Sequence, residues 1–168
     1  MKTFRHIAAL MLAATLAAGC GIYSFSGTSI QPDVETITIN YFEYKAEKVN
    51  PSLSNKITED LRTQFRKMTR LEQVDLDGDL EIEGAVTGYD VSAAAVTADE
   101  VAARNKLTVT VKITFTNRKY PEDNLEQSFS AYEEYDSTQS LDAVQDQLCE
   151  EIVKKLIEDI FNATVAQW

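Results

Sequence analysis

The 168-residue chain is poor in the residues that carry most enzyme chemistry. It has one histidine and two cysteines. The single histidine, His6, precedes the first cysteine, Cys20, and so falls in the segment that the reading below removes. Without histidine the remaining chain cannot build Ser-His-Asp or Cys-His catalysis, nor nearly any of the common zinc sites. Basic residues are also scarce, at 16 against 27 acids. Taking away residues 1–19 removes Lys2, Arg5 and no acid, leaving 14 bases and a net charge of −13. Such a chain does not bind nucleic acid through phosphate neutralisation, and charge alone does not hold it on anionic lipid. No apolar run is long enough to span a bilayer. The longest, Ile7 to Gly19, reaches only about 20 Å as a helix, against a hydrocarbon core of roughly 30 Å.

What that run does have is the layout of a secretory signal, with Lys2 and Arg5 before it and small residues at its end. Leu16-Ala17-Ala18-Gly19-Cys20 resembles the lipobox of bacterial lipoproteins. One departure is Ala17 where the usual leucine stands, with Leu16 one place further back. The resemblance implies a signal peptide over residues 1–19, cleavage before Cys20 and lipid on its thiol. Acyl chains anchor strongly, because each buried methylene contributes roughly 0.8 kcal/mol. Gly21 is not the aspartate that retains proteobacterial lipoproteins in the inner membrane, and no acidic run follows Cys20. By analogy the expected location is the periplasmic face of the outer membrane. An ordinary secretory signal with an incidental cysteine is the alternative.

The 149 residues from Cys20 onward suffice for one domain with a real core. Residues 20–33 read as a lipidated tether and residues 34–168 as the domain. From Val34 to Glu43 the alternation predicts a strand, with Ile37, Ile39 and Tyr41 on one side and Thr36, Thr38, Asn40 and Phe42 on the other. Asn50-Pro51 predicts a helix start, Asn as N-cap and Pro in the first turn. Leu53, Ile57, Leu61, Phe65 and Met68 follow as a single apolar stripe. Asp75-Leu76-Asp77-Gly78-Asp79 invites a calcium reading, but Gly is fourth in the run and the twelfth position is Val86. An EF-hand needs Gly sixth and Glu twelfth, so Asp77-Gly78 reads as a tight turn and no metal is expected.

A second strand runs from Leu80 to about Val91, and residues 92–103 read as a loop. Leu107, Val109, Val111, Ile113 and Phe115 then alternate with Thr108, Thr110, Lys112, Thr114 and Thr116, a half-buried strand. Asn117 to Pro121 breaks it, and a fourth strand covers about Leu125 to Tyr135. Ser140 reads as the cap of a last helix. Its stripe runs through Leu141, Val144, Leu148, Ile152, Leu156 and Ile160, widened by Val153, Ile157 and Phe161. Cys149 lies in that stripe and, with Cys20 lipidated, reads as a buried inert thiol. The expected fold is α+β: a two-layer sandwich in the order β-α-β-β-β-α, two helices on one face of a four-stranded mixed sheet. The crossover through the first helix permits a parallel pair, and the later strands form antiparallel hairpins.

With these elements in place, the chain resembles the LptE family, the lipoprotein subunit of the outer-membrane lipopolysaccharide translocon. The features are Cys20-Gly21-Ile22-Tyr23-Ser24-Phe25-Ser26-Gly27, the element order, Gly78-Asp79-Leu80-Glu81-Ile82-Glu83-Gly84 leading to Tyr89-Asp90, and Phe129 to Asp136 before the last helix. The last two stretches look like the branch found in Bacteroidota. The resemblance implies a non-enzymatic plug and assembly partner for an LptD-type β-barrel, without cofactor, serving transport of lipopolysaccharide to the outer leaflet. The Thr-rich face of the third strand suits a wet barrel lumen, and equally an ordinary solvated sheet. Basic residues contact lipopolysaccharide in some members. The candidates here are Arg104 and Lys106 before the third strand, and Arg118 and Lys119 after it. Another periplasm-facing envelope-assembly or ligand-binding lipoprotein of similar fold is the competing reading.

Overall fold

A computed structural model describes residues 29–94 and 103–166. The signal segment, Cys20, residues 21–28 and most of the expected 92–103 loop lie outside the described residues. The order is β1 (Thr36–Ile39), β2 (Glu43–Tyr44), α1 (Leu53–Met68), β3 (Glu72–Gln73), β4 (Leu80–Ala93), β5 (Arg104–Asn117), β6 (Leu125–Asp136) and α2 (Leu141–Val165). A short 3-10 turn at Pro121–Asp123 joins β5 to β6. The strands form one mixed sheet ordered β3-β1-β4-β5-β6, with β2 also on β4. β1 is parallel to both β3 and β4, while β4–β5 and β5–β6 are antiparallel. The two-layer α+β arrangement is as expected, with six strands in place of four.

The extra strands have local causes. The alternation from Val34 breaks after Ile39: Tyr41 is 57% exposed and Phe42 is fully buried. The Phe42 ring sits where Gly84 leaves room, and a Cβ there would lie 2.3 Å from it. Thr58 Oγ1, itself bonded to the Ser54 carbonyl, accepts from the Phe42 N–H at 3.1 Å. The chain is therefore pinned inward at Phe42, which ends β1 and starts the separate β2. β3 is a two-residue return after α1 that the polar sequence Glu72-Gln73 does not announce.

The connection from β3 to β4 crosses the outer side of β1. Gly78 N donates to Thr38 Oγ1 at 3.0 Å and Asp79 N to Thr36 Oγ1 at 2.9 Å. A Cβ on Gly78 would come within 2.6 Å of the Thr38 nitrogen, so only glycine permits this approach. Asp77 beside it has a left-handed φ of 54°. The tight turn expected at Asp77-Gly78 does not form: the two residues lie in an irregular crossing that joins strands on either side of β1 and makes no hairpin. This cover also explains why Thr38, expected on the outer face, is buried.

Both helices lie against the sheet's apolar face. Leu53, Ile57, Leu61 and Phe65 of α1 are buried, whereas Met68, expected in the same stripe, is exposed at the last turn. Leu148, Ile152, Val153, Leu156, Ile157, Ile160 and Phe161 of α2 meet the inward residues of β5 and β6. The helices meet through Phe65 and Phe161, edge to face with centroids 5.1 Å apart. The N-cap of α1 is Ser52 and not Asn50. Asn50 is buried instead, its amide 3.6 Å from the Cys149 sulfur. Burial pushes the Cys149 thiol up and the nearby Tyr89 phenol to about 12, which keeps both neutral. Ser140 caps α2 through its carbonyl, which accepts from Ala143 N, while its hydroxyl makes no cap bond.

Candidate functional site

The face of the sheet away from the helices is held in register by the long antiparallel ladders of β4, β5 and β6. On β5 the residues alternating with the buried Leu107 to Phe115 series point there, and pairing lines them up with β4 and β6. Thr108 sits between Asp90 and Tyr132, Thr110 between Gly88 and Ser130, and Lys112 between Ala85 and Ser128. Thr110 and Ser130 hydroxyls are 2.8 Å apart. The centre of the face is thus a band of small uncharged side chains: Thr87, Thr108, Thr110, Ser128 and Ser130. A bulge between Val86 and Gly88 keeps the band in phase, since it returns Tyr89 to the core after Val86. At one margin Asn40, Tyr41, Glu43, Lys45, Glu83 and Lys112 line a groove of about 450 Å³.

The ion pair of Lys112 with Glu126 crosses this band, and further charges stand at both ends, the four expected basic residues among them. Arg104 and Lys106 stand at one end of β5, Arg118 and Lys119 just past the other. Fourteen strand residues separate the pairs by about 45 Å, so they do not form one site. Arg104 pairs with Glu134 at 3.3 Å. Lys106 lies over the Tyr132 ring, 5.1 Å from its centroid, and Lys155 of α2 approaches the same ring at 6.0 Å. Lys155 also pairs with Glu133, which raises its pKa. At the far end Arg118 bridges Glu81 at 2.7 Å and Asp77 at 3.2 Å. Lys119 pairs with Asp79 at 3.1 Å and donates to the Asp33 carbonyl. Arg118 and Lys119 therefore tie the β5–β6 connection to the start of β1 and β4.

Two parts of this surface escaped the sequence reading. Ser128, Ser130 and Tyr132 belong to the face because they occupy even positions of β6, and that alternation was available. Lys155 joins the Tyr132 corner only through the packing of α2 on β6, which no periodicity reports. The acids around Gly78 serve the fold: Asp79 Oδ2 accepts from Glu35 N at 2.8 Å and Thr36 N at 3.1 Å. These bonds, led by that from Glu35, hold the Asp79 carboxyl below the usual range. Among the described residues no group of acids, cysteines or histidines is placed to hold a metal ion. No described helix is long and apolar enough to cross a membrane.

No curated protein matches the chain. Among solved structures, a minor lipoprotein from Acinetobacter baumannii aligns with TM-score 0.45 and 12% identity, covering 71% of this chain and 89% of that one. Uncharacterized lipoprotein B from Nitrosomonas europaea aligns with TM-score 0.47 and 14% identity, covering 78% and 85%. Protein XCC0632 from Xanthomonas campestris gives 0.49 and 7%, covering 77% and 85%. At these values the likenesses support no statement about this chain. The family model for LptE, lipopolysaccharide-assembly, matches residues 34–164. That span holds every strand and all but the last residue of α2, and the chain therefore belongs to the LptE family.

Proposed function

We propose that the protein is a lipoprotein anchored through Cys20 at the periplasmic face of the outer membrane. There it acts without catalysis as plug and assembly partner of an LptD-type β-barrel in lipopolysaccharide transport. The observation that carries this reading is the family match over residues 34–164. The geometry agrees with it physically. A rigid sheet face rich in Thr and Ser, crossed by the Lys112–Glu126 ion pair, offers hydroxyls and charge to a polar, hydrated wall.

The test is a detergent pull-down of the tagged, full-length protein from outer membranes, with mass spectrometry of what accompanies it. Stoichiometric recovery of one large β-barrel is expected. Recovery of no barrel, or of a different assembly, removes the proposal and leaves the fold untouched.

Within the same proposal, lipopolysaccharide phosphate is met at the corner of Arg104 and Lys106, where Lys106 lies over the Tyr132 ring. Charge-assisted bonds are worth roughly 1.5–3 kcal/mol. Combined Arg104→Glu and Lys106→Glu substitution is therefore expected to weaken lipopolysaccharide binding about tenfold or more. Unchanged binding would remove the corner from the site. Arg118 and Lys119 are assigned a structural role, and their reversal is expected to show as lost thermal stability.

A further inference from the structure

Because Phe42 is pinned inward between β1 and β2, the residue before it is turned out, and Tyr41 is more than half exposed. Two grooves meet at this residue. The one of about 450 Å³ lies on the outer face of the sheet. The other, of about 630 Å³, lies between α1 and the segment that holds β3. Asn40 and Tyr41 line both. Each volume is within the roughly 300–1,000 Å³ of small-ligand sites.

The polar groups of the larger groove are fixed from below. Val74 N donates to the Ile37 carbonyl at 2.9 Å, and there β3 leaves β1. Ile39 carries the next carbonyl on that edge, two residues on. It accepts from Arg62 instead, from Nη2 at 2.8 Å and Nε at 3.3 Å, while Arg62 Nη1 reaches Glu59 at 2.9 Å. The Gln73 amide donates to the Arg62 carbonyl at 2.6 Å and accepts from Arg66 at 3.4 Å. Across Tyr41, the Asn40 amide donates to Glu81 at 2.9 Å and to Glu83 at 3.5 Å. Planar amide, carboxylate and guanidinium groups therefore stand oriented on both sides of an exposed ring. Such pre-organisation lowers the cost of binding.

The lining also selects the ligand. Glu43 and Glu83 balance Lys45 and Lys112 in the smaller groove, and three acids meet two arginines in the larger. The chain as a whole holds 27 acids to 16 bases, so this cleft is close to neutral in an acidic molecule. A phosphorylated ligand would meet carboxylates at least as often as cations. Polar side chains predominate, which offers little to an acyl chain. A sugar ring suits both features: its C–H face rests on an aromatic ring, and its rim of hydroxyls needs donors and acceptors around it. We propose that the cleft on either side of Tyr41 binds an uncharged oligosaccharide. One pyranose ring lies on the Tyr41 ring, and its neighbours bond to Asn40 and Glu83 on one side and to Arg66 and Gln73 on the other.

This site goes beyond the assembly role. It shares no residue with the Arg104 and Lys106 corner and needs neither barrel nor anchor, so its failure and that of the transport role are separate.

Calorimetric titration of the full lipidated protein, in a zwitterionic detergent without a sugar headgroup, tests it. Cellotetraose and chitotetraose serve as uncharged probes, and the delipidated saccharide of lipopolysaccharide as a phosphorylated one. At least one uncharged probe is expected to bind at millimolar concentration or below. Chitotetraose alone would mark an N-acetylated chain as the source, and both probes a plain pyranose chain. Tyr41→Ala should weaken binding at least tenfold, Arg66→Ala severalfold, and Tyr41→Phe, which keeps the ring, very little. Both alanine variants change exposed side chains, so their melting temperatures should match that of the natural protein. No heat with either uncharged probe overturns the proposal. So does binding that Tyr41→Ala leaves unchanged, or tighter binding of the phosphorylated saccharide than of both uncharged probes, which marks a site led by charge.

Discussion

Asp79 shows how one carboxylate can organise a fold. It accepts the first N–H groups of β1, receives Lys119, and gives its own N–H to Thr36. Its pKa is lowered by the bond from Glu35 first, with Lys119 and Thr36 adding to it. A depressed carboxylate contributes stability that is present above its unfolded pKa, roughly 3.9, and is lost as pH falls through the folded value. Asp79→Asn is therefore expected to lower the melting temperature at pH 7, with the difference from the natural protein shrinking below about pH 4. A gap that stays constant down to pH 2 would contradict this account. Gly78 offers a second test at the same place. A methyl group there meets the Thr38 nitrogen, the Ile37 carbon and the Leu80 oxygen within 2.8 Å. All three are backbone atoms of paired strands, so they cannot yield. Overpacking of this kind costs about 1–3 kcal/mol, and Gly78→Ala should melt several degrees lower by calorimetry.

Among the elements, α2 carries the largest share of the core. Its 25 residues make a rod of about 37 Å, close to the roughly 40 Å of the twelve-residue β6 on which it packs. Leu156 is fully buried at the middle of that rod. Its truncation to alanine should cost about 2–5 kcal/mol, lowering the melting temperature by at least about 5 °C. Lys154→Ala on the exposed side should leave it nearly unchanged. The long elements were legible in the sequence because burial on one face writes a period into it. β5 shows this most simply, with five buried apolar residues alternating with Thr and Lys. What the sequence hid follows from contacts between distant segments. Phe42 leaves the β1 alternation because Gly84, forty-two positions later, makes a slot for it. Thr38 is buried by a connection that crosses over β1. Asn50 reads as a cap but turns inward to Cys149. The candidate face was legible by half: the threonines of β5 stood out, whereas the serines of β6 and Lys155 join them only through sheet pairing and helix packing.

At the scale of the molecule, the strongly acidic chain offers no charge attraction to anionic lipid, so the proposed membrane attachment rests on the N-terminus. Cys20→Ser, which removes the thiol proposed to carry the lipid, should release the protein from the membrane pellet without detergent. Continued sedimentation with membranes would mean that a protein partner, and not lipid, does the holding. The crossing of residues 74–79 over β1 gives that attachment a mechanical side. β1 is the first strand among the described residues, and it is gripped by parallel neighbours on both sides with a third segment laid across it. Tension from the N-terminus runs along β1, so the ladders on either side bear it in shear and share it. Peeling would break them one bond at a time. Under the proposed anchoring, the domain is thereby fastened at the strand best placed to take the pull.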